Sequence, residues 1–223
     1  MRKFLPVLAC TAAFALAACS QGEAPEQQAA PAETPVVIAK PTLSQPVRPE
    51  KPEILVKAQE EAANAPPLAE GETRQLDPAV AEAKSAYDAA MASYEEQSHA
   101  FTAQWKQYLV SVVTANMDGV KTTRPYMYFI PGGNDPGAAQ DRANQLDNVK
   151  NVVARGVLPG NMLAFGSPAS GRMADLIVEA FQHVPAGSMK DVRVLFIGSS
   201  DDLERVRTAV EPSGANVVFH EVK

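Results

Sequence analysis

Hydrophobic positions divide the chain into three stretches of different period. From Pro78 onward, neither proline nor glycine appears until after Ala115. Across that stretch Tyr87, Met91, Tyr94, Ser98, Phe101, Trp105, Tyr108 and Val112 recur at alternating steps of four and three. This is a heptad stripe with Ser98 as its one polar member, and it predicts a long amphipathic helix over residues 77–118. Asp77-Pro78 supplies the start, because Asp accepts from the free N–H groups and Pro suits the first turn. At 1.5 Å per residue such a helix is about 55 Å long. Its stripe can pack on the rest of the chain or form a coiled coil with another helix. Aromatic side chains make poor knobs for a tight dimer, which favours packing within the chain.

Residues 120–223 read differently. Short β-favouring runs at Tyr126–Ile130, Met162–Phe165, Val192–Ile197 and Val217–Phe219 alternate with helical patterns. Asp135-Pro136 opens the first of these helices, which carries Leu146, Val149 and Val153 and closes at Gly156. Ser167-Pro168 opens the second, with Met173, Leu176, Ile177, Ala180 and Phe181 on one face. Asp201 and Asp202 begin the third, which Pro212 and Gly214 stop. The order βαβαβαβ predicts an α/β domain with a mostly parallel sheet covered by crossover helices.

Residues 19–76 have no such period. Ala, Pro, Glu and Gln dominate, and Pro25, Pro31, Pro35, Pro41, Pro46, Pro49 and Pro52 recur every few residues. Prolines at that density oppose helix and sheet and favour extended polyproline II, so the stretch reads as a disordered tether. Ile54-Leu55-Val56 is a small apolar exception, read as an incidental cluster rather than a docking peptide.

Composition narrows the classes. The 223 residues carry a net charge of −6, with the excess acid in the tether and long helix; residues 120–223 hold eleven acidic and eleven basic side chains. The acidity belongs to the stalk and argues against nucleic acid as a partner, since phosphate contacts need clustered Lys and Arg. Two cysteines, Cys10 and Cys19, are too few for a cysteine-only zinc or iron–sulfur site.

Both cysteines lie at the N-terminus, where Met1-Arg2-Lys3 precedes an apolar run from Phe4 to Ala18. Positive charge followed by a short apolar segment makes a secretory signal, and the run falls short of the roughly 20 residues of a membrane-spanning helix. It ends in Leu16-Ala17-Ala18-Cys19. This resembles the lipobox of bacterial lipoproteins: an aliphatic residue, two small residues, then the cysteine whose thiol takes the lipid. Val7-Leu8-Ala9-Cys10 is a weaker match, because cleavage there leaves the signal almost no apolar core. The resemblance implies cleavage of residues 1–18 and lipidation of Cys19. With Ser20 rather than Asp after it, the resemblance implies sorting to the outer membrane, facing the periplasm. The mature chain would then have no free thiol and no disulfide.

In a parallel α/β sheet, ligands bind beyond the carboxyl ends of the strands. Three loops should meet there: Pro131–Asp135, Gly166–Arg172 and Gly198–Asp202. Gly133, Asn134, Ser167, Ser170, Arg172 and Ser199 are the candidate ligand-binding residues. They would offer hydroxyls and helix N-termini to an anion that Arg172 clamps. The plainer reading is that any strand-to-helix turn needs Gly for the bend and Ser or Asp for the cap.

Catalytic and cofactor motifs do not emerge. Gly166–Arg172 has the glycine interval of a phosphate-binding loop, but Arg172 stands where Lys belongs and Met173 where the metal-binding hydroxyl belongs. There is no G-x-S-x-G nucleophile elbow. His99, His183 and His220 are not at metal-ligand spacing from one another. No catalytic residue, metal site or cofactor is assigned.

Leu163-Ala164-Phe165-Gly166-Ser167 and Leu195-Phe196-Ile197-Gly198-Ser199 each precede a helix. This duplication is similar to the sporulation-related repeat family of periplasmic domains that bind peptidoglycan glycans. It would cover residues 161–222, and Pro185–Asp191 is too short for the extra strand that family has between its halves. The sequence therefore leads to a non-enzymatic, lipid-anchored binding or scaffold protein of the cell envelope with a periplasmic protein partner. The alternatives are a peptidoglycan-binding module, an immunity or inhibitor protein against a toxic enzyme, and an unrecognised hydrolase.

Overall fold

Alternation along the strands sends successive side chains into two separate cores. The computed structural model of the chain describes residues 38–66 and 75–222. The signal segment, Cys10, Cys19, Ser20 and the prolines at 25, 31 and 35 lie outside the described residues. Four strands, β1 (Tyr126–Phe129), β2 (Met162–Gly166), β3 (Arg193–Gly198) and β4 (Asn216–Glu221), form one all-parallel sheet in the order β1-β2-β3-β4. The chain is mixed α/β, as the alternating pattern predicts.

Strand order equals chain order, so every crossover steps the same way. Right-handed crossovers then put all the connecting helices on one face. These are α3 (Pro136–Arg155), α4 (Ser170–Phe181) and α5 (Ser200–Val210). Their apolar faces enclose Tyr128, Ile130, Leu163, Phe165, Val194 and Phe196 with Val149, Val153, Ile177 and Val206. The opposite face carries the other half of the alternation: Met162, Ala164, Leu195 and Ile197. A sheet with both faces apolar needs a second cover.

The long helix, α2 (Pro78–Ala115), supplies it. Phe101, Trp105, Tyr108, Leu109, Val112 and Val113 bury themselves on that face. Phe101, Trp105 and Tyr108 step along the helix as a ring series, with Trp105 edge-on to Tyr108 at 5.7 Å and 86°. The helix comes close enough that a Cβ on Gly166 would run into Leu109. So the stripe packs within the chain, over its C-terminal half. Upstream members Tyr87, Met91, Tyr94 and Ser98 are only half-buried.

The expected disorder of residues 19–76 is corrected in its described part. Glu53–Asn64 is a helix, α1, with its buried Leu55 turned toward α2. The physical reason is that no proline follows Pro52 until Pro66, and the stretch between is rich in Ala, Glu and Lys. Of Ile54-Leu55-Val56, Leu55 alone is buried, while Ile54 and Val56 stay exposed. Upstream of it, residues 38–52 run without helix or strand.

The helix boundaries follow local chemistry with one shift. Asp77 and Asp135 cap α2 and α3 by accepting from Ala79 N–H at 2.8 Å and Ala138 N–H at 3.1 Å. Gly156 ends α3 at φ 83°. However, α4 begins at Ser170 rather than at Ser167-Pro168. Ser167 is held back by its bond to the end of β1, described next.

Candidate functional site

The sheet's C-terminal edge does bring the three predicted loops together. The residues there mostly bond to the chain itself. Ser167 is buried; its hydroxyl donates to the Ile130 carbonyl at 2.9 Å and accepts from Ala169 N–H at 3.0 Å. It thus ties the end of β1 to the turn after β2. Ser170 donates to Asp202 Oδ2 at 2.6 Å and accepts from Ser199 N–H at 2.8 Å, joining the starts of α4 and α5. Ser199 caps α5 through Asp201 N–H at 3.3 Å. Arg205 reinforces that tie, bonding Asp202, Asp175 and the Gly171 carbonyl. Asp202 therefore has partners of its own, beyond complementing a helix dipole.

Arg172, in the first turn of α4, reaches across to the loop after β1. Its guanidinium donates to the Gly132 and Gly133 carbonyls at 2.9 and 2.6 Å, and to Asn134 Oδ1. Arg142, on α3, donates to the same Gly133 carbonyl at 2.6 Å. Two guanidiniums thus converge on one loop. Burial, and then the charge of Arg172, pull the Arg142 pKa down, with Asp135 opposing. Gly133, Asn134 and Arg172 form one cluster. Ser170 and Ser199 form another on the far side, with Ser167 between. Strand order never reverses, so the sheet has no topological switch point of the kind that opens a crevice between diverging crossovers.

A groove lies beside this edge, formed with residues that carry no sequence motif. Tyr94, Ser98, Phe101 and Thr102 of α2 face Gly132, Gly133 and Asp135 across a cavity of about 240 Å³, with Gln45 and Pro46 along its margin. Asp135 is central to it. Partial burial works against its charge. The backbone N–H groups at the α3 start and nearby Arg48 outweigh this and hold the carboxyl below its ordinary range. The Arg48 guanidinium stands 3.6 Å from Asp135 Oδ1. Arg48 and Tyr94 were missed by motif reading as site residues. The available signal was the three-residue spacing of Pro46, Pro49 and Pro52 ahead of Leu55.

The histidines stay apart. His99 and His183 are exposed. His220, on β4, sets Nε2 3.1 Å from the Tyr108 hydroxyl of α2. Burial lowers the His220 pKa from its ordinary 6.5 and raises that of Tyr108. A histidine with a depressed folded pKa binds fewer protons folded than unfolded. Its contribution to stability is full above about pH 6.5 and is lost as pH falls toward the folded value. Thermal melts should therefore fall between pH 7.5 and 5, and the fall should shrink in His220→Gln. An unchanged fall would remove His220 as its source. Tyr128, stacked on Phe165 at 5.0 Å, has a buried hydroxyl and its pKa is pushed up to about 12 by burial, with Tyr126 adding to the shift.

Among the described residues, no group of three or more His, Cys, Asp or Glu is placed to hold a metal ion, and no helix is long and apolar enough to cross a membrane. The chain matches no protein-family model, no curated protein and no solved structure. What the coordinates define is a class of architecture: a singly wound, four-strand parallel α/β layer backed by one long helix.

Proposed function

We propose that this protein is an outer-membrane-anchored lipoprotein facing the periplasm, and that it acts as a non-enzymatic binding or scaffold protein of the cell envelope. The observation that carries this reading is Leu16-Ala17-Ala18-Cys19 behind a basic start and an apolar run. The anchor is a lipid on Cys19, because several acyl chains hold a protein to a bilayer where one holds it only marginally. The non-enzymatic reading draws support from the loop edge. Ser167, Ser170, Ser199 and Arg172 are engaged in holding the sheet's end together. His220 pairs its Nε2 with the Tyr108 hydroxyl. A protein partner is the reading pursued; peptidoglycan is its rival. Residues 182–192 carry turns and no strand, so the extra strand of the glycan-binding repeat family is not found there.

The test pairs two measurements on the full chain. Photoreactive residues at Val110 and Leu158, 48% and 77% exposed, should each be scored in cells for a discrete protein adduct. Purified protein should be spun with peptidoglycan sacculi in low and moderate salt. A discrete adduct that disappears when the chain is left unlipidated, with no salt-resistant pelleting, is the expected result. Salt-resistant pelleting lost in Arg172→Ala, without any protein adduct, would replace the protein partner with the cell wall.

A further inference from the structure

Residues 38–52 lie on the body in two runs with a step of three, 38–41 and 46–52, separated by a step of five. Ile38 and Pro41 are half-buried, and so are Pro46, Pro49 and Pro52, while the residues between them are exposed. Three residues per turn is the period of polyproline II, and Pro52 has its dihedrals, φ −57° and ψ 140°. From Pro46 to Pro52 the same edge of the chain is turned inward at every third residue. The next step of three is Leu55, the buried residue of α1.

The body grips this strap through its main chain. Gln104 Oε1 accepts from Thr42 N–H at 3.0 Å and Leu43 N–H at 2.9 Å, and its amide donates to Thr42 Oγ1 at 3.1 Å. Arg48 pairs with Asp135, and Gln45 lies against Gly132 and Gly133. Ile38 packs against the Trp105–Tyr108 cluster. These holds are few and shallow. Arg48 is 43% exposed, and Leu43 and Val47 are 46% and 88% exposed. The sheet core beneath is fully buried by comparison. Segments with few buried contacts and exposed hydrogen bonds open first and independently of the core.

We propose that residues 38–64 are a releasable strap that sets how far the α/β body stands from the membrane. The proposal rests on the anchoring reading above. With the strap docked, only the chain between Cys19 and Ile38 spans the gap, at most about 65 Å at full extension. With the strap and α1 released, the span runs from Cys19 to Asp77 and can reach about 200 Å. The docked form keeps the body near the bilayer. Tension from a distant partner opens the strap without unfolding the sheet, because the strap's polar holds lie on side chains at the surface and Ile38, only partly buried, packs at the margin of the α2 core.

Two measurements on the full-length lipidated protein test this. The first is hydrogen exchange in detergent, comparing wild type with Gln104→Ala. The amides of α1 are the readout, since Gln104 bonds none of them. The strap account expects α1 exchange to rise about tenfold, a 1.4 kcal/mol change, with β2 and β3 unchanged. Unchanged α1 exchange, or loss of protection in the strands as well, would overturn it. The second is energy transfer from a dye at Leu158→Cys to acceptor lipids in phosphatidylethanolamine–phosphatidylglycerol vesicles. Gln104→Ala should lower transfer, and a Thr42→Cys/Gln104→Cys disulfide should restore it. Transfer that ignores both variants would overturn the reach-setting role. Protein that fails to float with vesicles would instead strike the anchoring reading, and the exchange result would still decide whether the strap opens separately.

Discussion

Cys19→Ser is expected to abolish incorporation of labelled palmitate and to leave the chain as the heavier, uncleaved precursor. Cys10→Ser should change neither. The argument is chemical. A thiol is a far better nucleophile than a hydroxyl near neutral pH, so the serine oxygen does not replace the sulfur in lipid transfer. Position decides between the two cysteines. Cys19 follows an apolar run long enough for a signal core, whereas Cys10 follows only six residues beyond the basic pair, Lys3 being the last charge. The effect is all-or-none, because stable attachment needs several acyl chains and each buried methylene contributes only about 0.8 kcal/mol. Palmitate labelling of both variants with a size shift on gels is the check. Label retained in Cys19→Ser would sink the assignment.

Trp105→Ala is expected to cost about 3–5 kcal/mol of folding stability, a large share of what a domain of this size has. Trp105 is buried between Phe101 and Tyr108 on the sheet face that no other helix covers. Removing it opens a cavity against a face that α3, α4 and α5 cannot reach, since all three lie on the opposite side. Tyr87→Ala, in the half-buried upstream part of the same stripe, should cost less than about 1 kcal/mol. Urea denaturation of both variants makes the comparison. If the helix earned its stability from a coiled-coil partner along its whole length, the two costs would be similar, and the layered account would fail.

The two halves of that stripe show what a sequence carries and what it withholds. Heptad spacing marked the helix and its buried face, because side-chain direction is local. It could not say that Phe101 onward meets a sheet while Tyr87 to Ser98 meets a short helix and a strap. That partition depends on where β2 and β3 lie, and strand pairing is a long-range choice. The strands themselves were legible from β-branched and aromatic runs between turn signals. Their order was not. The candidate residues were legible as turn and cap chemistry: Ser199 caps a helix, and Ser167 fastens a turn. The acceptors that the Arg172 guanidinium finds within the chain were not legible either. A lone basic side chain in a glycine loop looks ready for an anion, yet carbonyls freed by the loop's own bend are equally good acceptors. The tether misled most. Proline density correctly indicated extended backbone, but extended backbone can dock as well as float. Only the step of three from Pro46 to Leu55 distinguished the two.

The most direct test of the account is the mass of the mature N-terminal peptide from membrane-purified protein. The account predicts a peptide beginning at Cys19-Ser20, heavier than its sequence by a thioether-linked diacylglycerol and an amide-linked acyl chain. An unmodified peptide running through residue 19, or a mature chain beginning elsewhere, would contradict it.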